Sequence, residues 1–246
     1  MKHMLSSSYG LLVCILACAV SAAGGDYWIS ATESGVVTNN DCGQIVQIHG
    51  APLIHRSFHA ASDAGVEASI ADRVSSGDEL IAPAGSRVEM ITGTNTVLVL
   101  GAGARVRLDG LRAFDVGEAE ATRLDVTLLA GEIRVQVRRN DVRPESVLVS
   151  MGGAEILVIR GDVEMFADGG WRCSVLAGGA SGRMRRGGMP GAPFPIPADT
   201  VFAGSGATPL TREEKSAIAA RVPFSFEVAS AALPPLPPLS AESEAP

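Results

Sequence analysis

Ala104-Arg105-Val106-Arg107-Leu108-Asp109 alternates apolar and charged side chains with a period of two. Successive side chains of an extended strand point to opposite faces, so Val106 and Leu108 are predicted to face a core and the two arginines water. The same alternation sets Ile133, Val135 and Val137 against Arg134, Gln136 and Arg138. Val97-Leu98-Val99-Leu100 and Ile156-Leu157-Val158-Ile159 are instead apolar without interruption and read as strands covered on both faces. Flanking Gly-Thr-Asn and Arg-Gly-Asp turns favour strand over helix there. Such runs recur from Ile45 onward at about ten-residue intervals, which predicts an all-β domain over residues 45–184.

Composition agrees with many short strands. Of 246 residues, 46% are hydrophobic but only 4% aromatic, so the core must be built from Val, Ile, Leu and Ala. The 28 glycines and 14 prolines suit turns and penalise helices. The length fits one domain with tails. Net charge is −7 and lysine occurs only at Lys2 and Lys215, which disfavours a phosphate backbone as partner. The basic run of Arg183, Arg185 and Arg186 reads as a solvated Gly-rich turn.

Residues 1–22 have the anatomy of a secretory signal peptide: a short polar start with Lys2, the apolar run Leu11 to Val20, and small residues that place cleavage between Ala22 and Ala23. The apolar run is about half of the ~20 residues a spanning helix needs, so no transmembrane helix is expected in the mature chain. Ile15-Leu16-Ala17-Cys18 loosely resembles a lipobox, but Leu16 is bulky for its place, so simple cleavage and a periplasmic or secreted protein are preferred to anchoring through Cys18. Cleavage would leave Cys42 and Cys173 in an oxidising compartment, where a disulfide between them is expected; the alternative is two separately buried thiols.

Residues 23–44 read as a lead-in segment with a short strand near Tyr27-Trp28-Ile29. Leu129-Ala130-Gly131 and Leu176-Ala177-Gly178 echo one another, each predicting a strand, a tight Gly turn and a return strand. Residues 185–210, rich in Gly, Pro and Ala, read as a loop or linker. Thr211-Arg212-Glu213-Glu214 has the form of a capping box and opens a short helix over 211–222 that must stop before Pro223. The Pro-rich tail, 223–246, is expected to be polyproline-like and then disordered.

The order of motifs resembles the FecR domain family. The stretches that carry the likeness are Ser76-Gly77-Asp78-Glu79-Leu80-Ile81-Ala82, Gly85-Ser86-Arg87-Val88, Gly93-Thr94-Asn95-Thr96-Val97-Leu98-Val99-Leu100-Gly101, Ala104 to Leu108, Leu128 to Val135, and Val158-Ile159-Arg160-Gly161-Asp162. Together they span a little over half the chain. The resemblance implies an extracytoplasmic β domain, a twisted solenoid or sandwich of short strands, which in signalling members contacts an outer-membrane receptor and is tied to sigma-factor control. Only about eight residues precede the apolar run here, so the cytoplasmic anti-sigma segment of those members is not expected. Gly161-Asp162-Val163-Glu164 also departs from the family's usual Gly-Thr turn and following aromatic.

No Gly-x-Ser-x-Gly elbow, phosphate-binding loop or complete dinucleotide fingerprint occurs, so no catalytic residue and no cofactor are assigned. His55, His59 and Asp63 could share a metal only if their segment were helical, and ordinary exposed histidines are the expected reading. Asp78, Asp109, Asp125 and Glu132 are expected on strand exteriors or turns. Three function classes remain open: a non-enzymatic module that binds another envelope protein through a sheet edge or the Gly-rich face, a glycan- or wall-binding module using Tyr27, Trp28 and Trp171, and an enzyme, for which no motif speaks. The first is preferred.

Overall fold

The computed structural model describes residues 36–39, 41–57, 65–93, 95–116, 119–138, 144–186, 189–204 and 206–224. They form two β layers that share three bent strands, and one short helix.

The first layer runs β5 (Arg73–Ser75), β2 (Asp41–His49), β7 (Arg87–Thr92), β8 (Thr96–Leu100), the C-terminal halves of β10 (Ala119–Val137) and β12 (Ala154–Ala167), the N-terminal half of β13 (Trp171–Arg186), β16 (Thr200–Ala203) and β17 (Gly206–Pro209). The second runs β4 (Val66–Glu67), β3 (Leu53–His55), β6 (Glu79–Ile81), β9 (Arg105–Val116), the N-terminal half of β10, β11 (Glu145–Met151), the remaining halves of β12 and β13, and β15 (Phe194–Pro197). β1 (Val36–Asn39) flanks the far end of β9 and β14 (Met189–Pro190) folds back on the end of β13. Among these pairings only β10–β11 is parallel.

The bends explain the sequence echo. Leu129 is the extra residue where β10 slips against β9, and Leu176 is the extra residue where β13 slips against β12. In each case a glycine follows two residues later at positive φ, +78° at Gly131 and +75° at Gly178. Leu-Ala-Gly is therefore a bulge, not the tight turn expected from sequence: the strand kinks and carries on into the other layer. A side chain at either glycine would collide with backbone, 2.6 Å from Ala104 Cα at Gly131 and 2.5 Å from Arg160 O at Gly178.

Between the layers lies one apolar core that includes Leu98, Leu100, Val106, Leu108, Ile133, Val135, Val149, Ile156, Val158, Val163 and Met165. Val106 and Leu108 are buried and Arg105 and Arg107 exposed, as the alternation requires. All five residues of β8 are buried, as expected for a strand covered twice. Arg134 departs from the alternation: it is only 8% exposed, because the C-terminal segment covers its face of the sheet.

The helix α1 (Arg212–Arg221) starts where the capping box placed it. Thr211 Oγ1 accepts from the Glu214 N–H at 3.2 Å, and Glu214 Oε2 accepts from the Thr211 N–H at 2.8 Å. The Thr211 N–H and hydroxyl, both donating to it, hold the Glu214 carboxyl below its usual range. Two expected boundaries shift. The β structure starts within the supposed lead-in, at β1 and β2. Residues 185–210 are not a linker, since β15 and β16 pair with β13 and β17 pairs with β16. The basic run is likewise strand, with Arg183 and Arg185 both paired to Glu155.

Candidate functional site

Strand addition needs an open edge with backbone groups to offer. β8, with its run of Val97 to Leu100, sits between β7 and β10 and has no edge to give. β4 and β14 are two residues each. β5 already has the Arg73 carbonyl taken by Arg56 Nη1 at 2.6 Å. In β15, Phe-Pro-Ile-Pro, prolines remove two of four donors. β17 is different. All four of its residues are exposed, and among the described residues it pairs with β16 alone.

The β16–β17 hairpin has a two-residue loop, with Ala203 facing Gly206 and Gly204 at φ +59°. In such a hairpin the flanking pair exchanges hydrogen bonds and the next pair does not. Ala207 therefore turns its N–H and C=O away from β16, toward solvent. Pro209, two residues on, adds an outward carbonyl and no donor.

The Gly-rich stretch of β13 is exposed at Ala177 and Gly178 and covered at Gly182. A side chain at Gly182 would lie 2.7 Å from Phe194 Cζ, so that glycine makes room for the Phe194 ring. Phe194, Phe202 and Trp171 stack in turn, with centroids 4.7 and 5.5 Å apart, against the main core. Trp171 thus serves packing, while Tyr27 and Trp28 lie outside the described residues.

On the outer face of the first layer, charges gather beneath α1. Arg134 Nε and Nη2 donate to Asp162 at 2.8 and 2.6 Å, and its Nη1 donates to the Val222 carbonyl at 2.9 Å. The Phe224 ring lies 4.3 Å from the same guanidinium. Arg221 pairs with Glu132 at 2.9 Å and lies 3.6 Å from Glu164, which accepts from Arg172 Nη2 at 2.7 Å. Glu164 is fully buried, and burial is the largest cause raising its pKa, opposed by Ser174 and Arg172. Its Oε2, Ser174 Oγ and Arg172 Nε lack a well-formed hydrogen bond. Beside these charges, Val222 and Phe224 pack on Val97, Val99 and Ile91 in a cluster separate from the main core. Asp162 and Glu164 come from the stretch that departs from the FecR pattern.

The other sequence candidates are dispersed. Cys42 and Cys173 are separately buried and not joined in a disulfide, the alternative to the expected bridge. They lie on β2 and β13, which no pairing joins and between which β7, β8, β10 and β12 intervene in the first layer. Burial pushes the Cys42 thiol up to about 12, with nearby aspartates adding to it, and raises Cys173 as well. His55 ends the strand β3, so no helix carries it, while His59 and Asp63 lie outside the described residues. Among the described residues no group of three or more His, Cys, Asp or Glu is placed to hold a metal. Asp78 lies at a turn, one of the two places expected for it, but is only 1% exposed: it accepts from Arg56 Nη1, Ser57 N and Ser75 N, fastening the Ser-Gly-Asp turn. Asp125 is likewise buried, shared by Arg112 and Arg123. Among the described residues no helix is long and apolar enough to cross a membrane.

No family model matches the sequence, and no curated protein matches it. Two crystal structures, each described as that of a "putative anti-sigma factor" from Parabacteroides distasonis ATCC 8503, align at 16% and 17% identity, both with a TM-score of 0.41. Each alignment covers 56% of this chain and 63% or 62% of the other, so the chain spans less than two thirds of either relative. These likenesses are too distant to assign a function.

Proposed function

We propose that this protein is an exported, non-enzymatic module of the bacterial cell envelope, of the FecR-domain kind, that binds another protein by adding a strand of the partner to β17. The leader-like residues 1–22 support export, and the ordered motifs from Ser76 to Asp162 support the family kinship. The observation that carries the reading is the β17 edge, exposed along its whole length and holding an outward N–H and C=O at Ala207. Main-chain hydrogen bonds would supply affinity there, and the alternate side chains selectivity. A role in cell-surface signalling belongs to the same proposal.

The test is Ala207→Pro. It deletes the outward donor while leaving the β16–β17 ladder, whose bonds flank that position, in place. Envelope proteins recovered with the wild-type chain should be lost with the variant. Equal recovery by both overturns the proposed edge.

A further inference from the structure

We propose that the outer face of the first layer is a peptide-docking site, held closed by the chain's own Arg221-Val222-Pro223-Phe224, and that its ligand in trans is a protein segment of the same chemistry: an arginine followed by a β-branched residue and an aromatic. This face lies apart from β17, so either proposal can fail without the other.

The closed state displays how such a segment is read. The arginine meets a carboxylate pair, Glu132 at 2.9 Å and Glu164 at 3.6 Å. Arg134, fixed by Asp162, offers its remaining donor to a main-chain carbonyl, that of Val222. The aromatic Phe224 lies against the Arg134 guanidinium, and the β-branched Val222 is fully buried against Val97 and Val99. Charge, backbone and side-chain shape are all matched within four residues.

The helix that carries the occupant is itself lightly packed. Of the ten residues of α1 only Ile218 is buried, so the helix contributes little packing of its own. The cluster around Val222 is distinct from the main core, so its release would leave the space between the layers intact. A tethered occupant competes at an effective concentration in the ~mM range, so a trans ligand gains when the tether's own contacts are weakened.

The experiment uses the full chain and a fluorescent peptide of residues 217–224. Peptide binding by polarisation is compared for wild type, Arg221→Ala and Phe224→Ala, with hydrogen exchange of residues 212–224 measured in parallel. Arg221 is half exposed at the surface, so Arg221→Ala keeps the test open should Phe224→Ala fail to fold. The expected result is faster exchange in the segment, at least tenfold tighter peptide binding by the variants than by wild type, and loss of that gain when Glu132→Gln is added. Variants whose segment exchanges freely but which bind the peptide no better than wild type overturn the proposal. So does a segment that stays as protected as in wild type, because the four residues then do not hold it.

Discussion

Arg134 grips Asp162 with two nearly parallel hydrogen bonds, 2.8 and 2.6 Å, across adjacent strands at a site both side chains share with little solvent. A planar fork meeting a carboxylate in this way cannot be copied by an ammonium. Arg134→Ala is expected to destabilise the protein by about 2–4 kcal/mol, because it leaves a part-buried carboxylate without its partner and the Val222 carbonyl without its donor. Arg134→Lys should recover less than half of that. Urea denaturation of the three proteins checks both statements.

Glu164 titrates the other way from most surface carboxylates. Its folded pKa is raised, chiefly by burial, so the stability it contributes is present below its unfolded pKa and is lost as pH rises through the raised folded value. Glu164→Gln should therefore gain on wild type as pH rises from the unfolded carboxylate value through the raised folded one, so that the Tm of the variant minus that of wild type increases with pH. Thermal melts of both proteins across that range decide it; a difference that shrinks with rising pH would contradict the assignment.

Gly131→Ala and Gly178→Ala both place a side chain at positive φ and against backbone. Each should cost more than the ~1–2 kcal/mol of the left-handed conformation alone. Gly103→Ala supplies the comparison: φ is +79° there but no atom lies within 4 Å of the added carbon, so only the conformational cost applies. Equilibrium unfolding of the three variants should rank Gly103→Ala as the mildest.

Much of this fold is legible in the chain. The alternation around Val106, the doubly covered β8 and the Thr211 capping box are local patterns, and local patterns survive the reading of one segment at a time. What escapes is set by pairing at a distance. Leu129 and Leu176 advertise a glycine at positive φ, yet whether the chain then turns back or only kinks depends on which strands wait on either side. Arg134 looks like a solvent residue until a segment almost ninety positions later covers it, at Val222. The Pro-containing Phe194 to Pro197 passes for linker because its pairing partner, β13, lies upstream and carries its own glycines. The β17 edge has no sequence signature, being an edge only because among the described residues no other strand pairs with it beyond β16.

The thiols supply a further check on the pairing. Cys42 and Cys173 are both fully buried and neither is bonded to the other. Native protein should resist alkylation at both positions, and denaturant without reductant should render both reactive, as peptide mapping by mass spectrometry would record. Adducts that appear only after reduction would mean that a bridge forms.

The most direct measurement of the central proposal is photo-cross-linking in the native envelope from a photoreactive residue placed at Ala207. The account predicts one defined protein adduct at this position, absent when the same residue is placed at the buried Val99 of β8. An adduct pattern at Ala207 no different from that at Val99, or one that disappears on glycan digestion, would contradict it.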